Sequence, residues 1–165
     1  MIKANDPSRK SWVAVEADSD FSIQNIPFGI FKTSALSPRV ATAIGDQVLD
    51  LSILHEVGLL EGLGLPSGIF SKSTLNDFME LGKATTRKVR DRISDLLEEG
   101  NAELKDNEKL KSTVFHDIDA VEMLMPVRVP NYTDFYSSEQ HAFNVGTMFR
   151  GPENALMPNW KHIPV

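Results

Sequence analysis

The apolar pattern of this 165-residue chain changes period partway along, and that change limits the folds open to it. Up to about Ser52 the apolar residues come in short β-prone runs, Trp12-Val13-Ala14-Val15, Gly29-Ile30-Phe31 and Val40-Ala41-Thr42-Ala43-Ile44, separated by Asp, Asn, Pro and Gly. Short strands joined by turns follow. Gly45-Asp46-Gln47 before Val48-Leu49-Asp50-Leu51 predicts a hairpin turn. From Ser73 the spacing becomes three and four: Leu75, Phe78, Met79, Val89, Ile93, Leu96 and Leu97 recur with Lys, Arg, Asp and Glu between them. That is an amphipathic helix or a helical pair, with Ser73 or Thr74 available to cap it, Gly82 to interrupt it and Gly100 to end it. Its charges form a solvated face, or, as a sharper alternative, a partner-binding stripe. Residues 101–111 are polar, a loop or a short exposed helix, and Val121–Val127 returns to β-like composition with Pro126 and Pro130 as breaks. A domain boundary is expected near Asp117–Val121.

Composition removes several classes of function. The 17 Lys and Arg against 23 Asp and Glu leave a net charge of -6, so no global basic field exists to hold nucleic acid or an anionic membrane. The absence of cysteine excludes disulfides, thiolate metal sites and a thiol nucleophile, which leaves hard cations held by oxygen ligands as the main metal chemistry. A polar start and no apolar run of bilayer-spanning length predict a cytoplasmic protein.

Phosphate-binding, zinc-protease and serine-hydrolase signatures are all missing, and Gly62-Leu63-Gly64 lacks the third glycine of a dinucleotide loop. The segment Asn131–Arg150 instead gathers two acids, Asp134 and Glu139, with two tyrosines, a histidine and an arginine among small polar residues. If Tyr132–Tyr136 is extended, Asp134 and Tyr136 point to one face. Ser137 or Ser138 can then cap a helix that brings His141 back toward that wall as a general base, since a neutral imidazole accepts a proton from water near neutral pH. Arg150 suits a bidentate contact to a substrate carboxylate. The same residues also admit a plain structural account: Asp134 capping a turn, tyrosines in a core, an ordinary His141, and Arg150 in a salt bridge. His55, His116 and His162 have no ligand-spaced partners and are read as structural.

Tyr132-Thr133-Asp134-Phe135-Tyr136-Ser137-Ser138, Gln140-His141-Ala142, Asn144-Val145-Gly146, Met148-Phe149-Arg150 and Glu153–Trp160 resemble the signature region of the fumarylacetoacetase family. Asp18–Phe21, Ile26–Gly29, Ala43–Asp46 and Leu49–Ser52 resemble that family's N-terminal domain. The resemblance implies a fold that is mainly β with helical additions: an SH3-like β-barrel over residues 1–118, then residues 119–165 as the start of a β-rich roll that carries catalysis. It implies hydrolysis of the small molecule fumarylacetoacetate to fumarate and acetoacetate, the last step of tyrosine degradation and so of phenylalanine catabolism. Asp134 is then a calcium ligand, Tyr136 and Arg150 contact substrate, and His141 activates water; magnesium is a second implied ion, and the complete enzyme is a homodimer.

Asp134 alone cannot supply the six to eight oxygens that calcium takes, and the resemblance places the other metal carboxylates beyond Val165. The expectation is an incomplete N-terminal portion, inactive by itself. The alternative is a naturally short, non-catalytic SH3-like module that docks on a full-length homologue.

Overall fold

The computed structural model describes residues 2–135 and 137–162, which fall into two compact units divided between Arg128 and Val129. In the first unit five strands make one curled antiparallel sheet, a half-barrel, in the order β4-β3-β2-β1-β5: β1 Phe28–Lys32, β2 Arg39–Ile44, β3 Gln47–Asp50, β4 Phe115–Asp117 and β5 Glu122–Leu124. The hairpin at Gly45-Asp46 forms as expected, with Ile44 opposite Gln47. Gly45 is required there twice over. Its φ of +54° is the sign that the first position of a two-residue hairpin demands, and a Cβ at this site would lie 2.3 Å from the carbonyl oxygen of Ala14.

Strand alternation divides the apolar residues between two faces. Ile30, Val40, Ile44 and Leu49 face the main core, whereas Phe31, Ala41 and Val48 form a smaller cluster on the other side with Leu36, Ile118 and Val121. The main core is closed by helices. These are α1 Leu51–Glu56, α2 Asn76–Glu80, α3 Gly82–Leu97, α4 Ala102–Lys105 and α5 Glu108–Val114. Val89, Ile93, Leu96 and Leu97 of α3 are fully buried, so the predicted stripe is the packing face. Phe78 stands between Phe28 and Phe70 in edge-to-face contacts, at centroid distances of 5.0 and 5.2 Å.

The helical pair breaks at Gly82, which takes a φ of +79°. Neither Ser73 nor Thr74 caps it, because α2 begins after Leu75 without a side-chain cap. The amide of Leu75 donates instead to the carbonyl of Pro126 at 2.8 Å, which ties the start of α2 to the chain leaving β5. Gly100 is not the helix end either: α3 stops at Glu98, whose backbone bridges to Ser11. Leu51, read as strand, begins α1, since Asp50 caps that helix by accepting from the amides of Ser52 and Ile53 at 2.8 and 3.2 Å.

The run Trp12–Val15 forms no strand. Trp12 binds the end of α3 instead, its amide donating to the carbonyl of Leu97 and its indole N–H to that of Leu96. Helix residues outnumber strand residues among those described, so the mainly-β expectation gives way to a mixed α and β architecture. Strand β5 pairs with β1 and carries the sheet past the 118/119 boundary expected from sequence. No helix among the described residues is long and apolar enough to cross a membrane.

Candidate functional site

The second unit, 129–165, is built around one helix, α6, Glu139–Arg150. Ser138 caps it, its hydroxyl accepting from the amide of His141 at 3.3 Å, while Glu139 places a negative charge in the first turn, where the helix dipole favours one. Glu139 also pairs with Lys161 at 3.1 Å. Gly151, at a φ of +78°, ends the helix, and a 3-10 turn at Pro152–Asn154 sends the chain back across it.

That return is very close. Ala142 and Gly146 lie one turn apart on the buried face, and a Cβ built on Gly146 would sit 1.8 Å from the carbonyl oxygen of Ala155. Arg150, one turn further on the same face, clamps the crossing: its Nε donates to the carbonyl of Asn154 at 3.1 Å and its Nη2 to that of Ala155 at 2.8 Å. A cavity of about 170 Å³ remains between the helix and the returning chain, lined by Ala142, Arg150, Ala155, Leu156, Met157, Asn159 and Trp160.

The four residues singled out from sequence fare differently. His141 stands exposed in the first turn of α6, and Asp134 is exposed in the irregular segment before it. Residues 129–135 form no strand, so no ladder fixes the alternation on which a shared Asp134 and Tyr136 face depended. Tyr136 lies outside the described residues. Arg150 is nine residues beyond His141, about 13 Å along the axis and about half a turn round it. The helix therefore directs the two side chains to opposite sides. Arg150 spends two of its donors on the 154–155 carbonyls, and any contact to a substrate carboxylate falls to its remaining N–H groups.

Among the described residues no group of three or more His, Cys, Asp or Glu side chains converges on a point where a metal ion would sit. Asp134 alone does not fit a calcium cage. Three other titratable groups belong to the first unit. His55 packs edge-on against Phe70 at 5.6 Å, and His116 lies over Phe31 at 5.2 Å. Asp50 is fully buried; burial pushes its carboxyl above the usual carboxylate range, against the opposing pull of the Ile53 amide and the Arg39 guanidinium.

Sequence reasoning passed over Gly146 and the clamp made by Arg150. The signal was present in Ala142 and Gly146, two small residues four apart, the spacing at which a helix admits a close backbone crossing. Several large apolar side chains of this unit are more than half exposed, among them Tyr132, Phe135, Met148, Phe149 and Met157.

The chain thus carries a curled antiparallel half-barrel closed by helices and, later in sequence, a capped helix with an exposed histidine. A family model described as "Fumarylacetoacetase N-terminal" covers residues 24–126, from just before β1 to just after β5. The chain belongs to the fumarylacetoacetase family. It is 47% identical over 157 residues to a fumarylacetoacetase of Dictyostelium discoideum, 48% over 159 residues to one of Caenorhabditis elegans and 46% over 156 residues to one of Homo sapiens. Each match takes in 94% of this chain, which spans only 37–38% of those relatives' own length.

Proposed function

We propose that this chain carries the N-terminal domain and the first catalytic-domain residues of a fumarylacetoacetase, which cleaves a carbon–carbon bond of fumarylacetoacetate with water to give fumarate and acetoacetate. The observation that carries this reading is the 47% identity that runs through 94% of the chain, site segment included. In it the half-barrel, β5 included, is the SH3-like domain, the residues that follow it open the catalytic roll, and the protein acts in the cytoplasm as a homodimer.

The chemistry asked of this chain is limited and specific. His141, held at the start of α6 by the Ser138 cap and open to solvent, takes a proton from water as that water attacks a carbonyl carbon. The carbon–carbon bond then breaks, its electron pair leaves as the enolate of acetoacetate, and a proton returns to that carbon. Tyr136 and the free N–H groups of Arg150 orient the substrate. Calcium, with magnesium as a second ion, is the expected source of enolate stabilisation. Asp134 does not make such a site by itself, and the resemblance places the remaining ligands in the part of the relatives that this chain does not cover.

The test is consumption of fumarylacetoacetate by the longest product of the gene, with calcium present, beside its His141→Ala variant. Loss of about a hundredfold or more in kcat for the variant is expected from removing a general base. An inactive parent, or a variant as fast as its parent, would overturn the assignment.

A further inference from the structure

The first unit carries a second concave site, unrelated to α6. Phe28, Leu75 and Phe78 form its floor, and the exposed, flexible side chain of Met79 forms one wall. Along the rim run Lys83, Arg87 and Arg90, at spacings of four and three on α3, which brings all three to one side of that helix. Its volume is about 430 Å³, within the range of pockets that hold small organic molecules. No carboxylate is among its described lining residues.

Three cations converging on an apolar floor are notable in a chain whose net charge is -6. Lys83 and Arg87 form no salt bridge among the described residues, although carboxylates outnumber cations in the chain; Arg90 donates one N–H to the carbonyl of Gln24. A mostly apolar hollow with a few convergent polar groups is the general form of a small-molecule site. Here every charged group is positive.

We infer that this groove binds small amphipathic organic anions, an aryl or alkyl body lying over Phe28 and Phe78 with its carboxylate between Lys83 and Arg87. The two phenylalanines among the lining residues suit a ring, and two cations four residues apart, with no salt bridge among the described residues, can share one carboxylate. The site lies on the half-barrel unit, so its occupancy does not depend on the hydrolase reading.

The experiment titrates the 165-residue chain with 4-phenylbutyrate and, separately, with its uncharged amide, following backbone amides by two-dimensional NMR. Saturable shifts centred on Met79, Thr86, Arg87 and Arg90 are expected. The amide should bind about tenfold more weakly, and the double variant Lys83→Glu/Arg87→Glu should lose about tenfold or more of the carboxylate affinity. Both substituted side chains are exposed, so the variant is expected to keep the parent's amide spectrum elsewhere. Shifts scattered over the surface, equal binding of acid and amide, or unchanged affinity in the folded double variant would each overturn the inference. So would a groove that ignores 4-phenylbutyrate yet takes up an acidic peptide, which would make it a protein-docking surface.

Discussion

Replacing Gly146 with alanine sets two physical effects against each other, and only the tertiary structure says which wins. By helix propensity the change should help, since alanine is favoured over glycine by about 1 kcal/mol in a helix interior. The new Cβ, however, would sit 1.8 Å from the carbonyl oxygen of Ala155, 2.6 Å from its carbonyl carbon and 2.9 Å from its Cα. All three are backbone atoms, so no rotamer change relieves the overlap. The crossing chain would have to retreat by about 1.2 Å merely to reach a 3.0 Å contact. That retreat stretches both bonds from Arg150, which now measure 3.1 and 2.8 Å. Overpacking of this kind costs about 1–3 kcal/mol, and weakening hydrogen bonds to a charged donor adds to it. The expected net effect is a loss of about 1–3 kcal/mol in the local stability of α6, which lowers hydrogen-exchange protection of its amides by about five- to 150-fold. Asn144→Ala is the control: Asn144 is exposed in the same helix, so propensity alone acts and protection should rise slightly. If Gly146→Ala raised protection as much as Asn144→Ala, the close crossing would not exist and the account of the Arg150 clamp would fail with it.

Two further expectations concern the half-barrel unit. Gly45→Ala forces a side chain into a φ of +54° and into the Ala14 carbonyl at 2.3 Å, so the urea midpoint should fall by the equivalent of about 2 kcal/mol or more; an unchanged midpoint would refute the hairpin geometry. Glu103 is held down to about 2, first by hydrogen bonds from the Arg92 guanidinium and then by one from Asn101. Because its folded value lies below the ordinary 4.5, the stabilisation is present above 4.5 and is lost as pH falls toward 2. The pair is about half exposed on the glutamate side, which limits it to about 0.5–1 kcal/mol despite its two-pronged geometry at 2.9 and 2.7 Å. Thermal melts of Glu103→Gln should therefore show a small deficit at neutral pH that closes on acidification; a deficit that widened would contradict the sign.

Local chemistry decided a good part of this protein from sequence alone. A glycine at the first turn position makes the Gly45-Asp46 hairpin, three-and-four spacing makes the buried stripe of α3, Gly82 breaks the helical pair, and Ser138 caps α6. Each depends on neighbours within a few residues, which is why each is legible in one dimension. Tertiary structure decided the rest. Trp12–Val15 has the composition of a strand, but a strand needs a ladder partner, and the end of α3 took its hydrogen bonds instead. Ser73 and Thr74 are good caps in isolation, yet the start of α2 is tied to Pro126, some fifty residues away in the chain. In the candidate site, His141 and Arg150 are near neighbours in sequence, but a helix turns the short distance between them into opposite faces and hands Arg150 to the 154–155 carbonyls. Residue types and local spacing announce which groups are available; only the packing of distant segments decides which of them meet, because hydrogen bonds and close contacts are made in space and not along the chain.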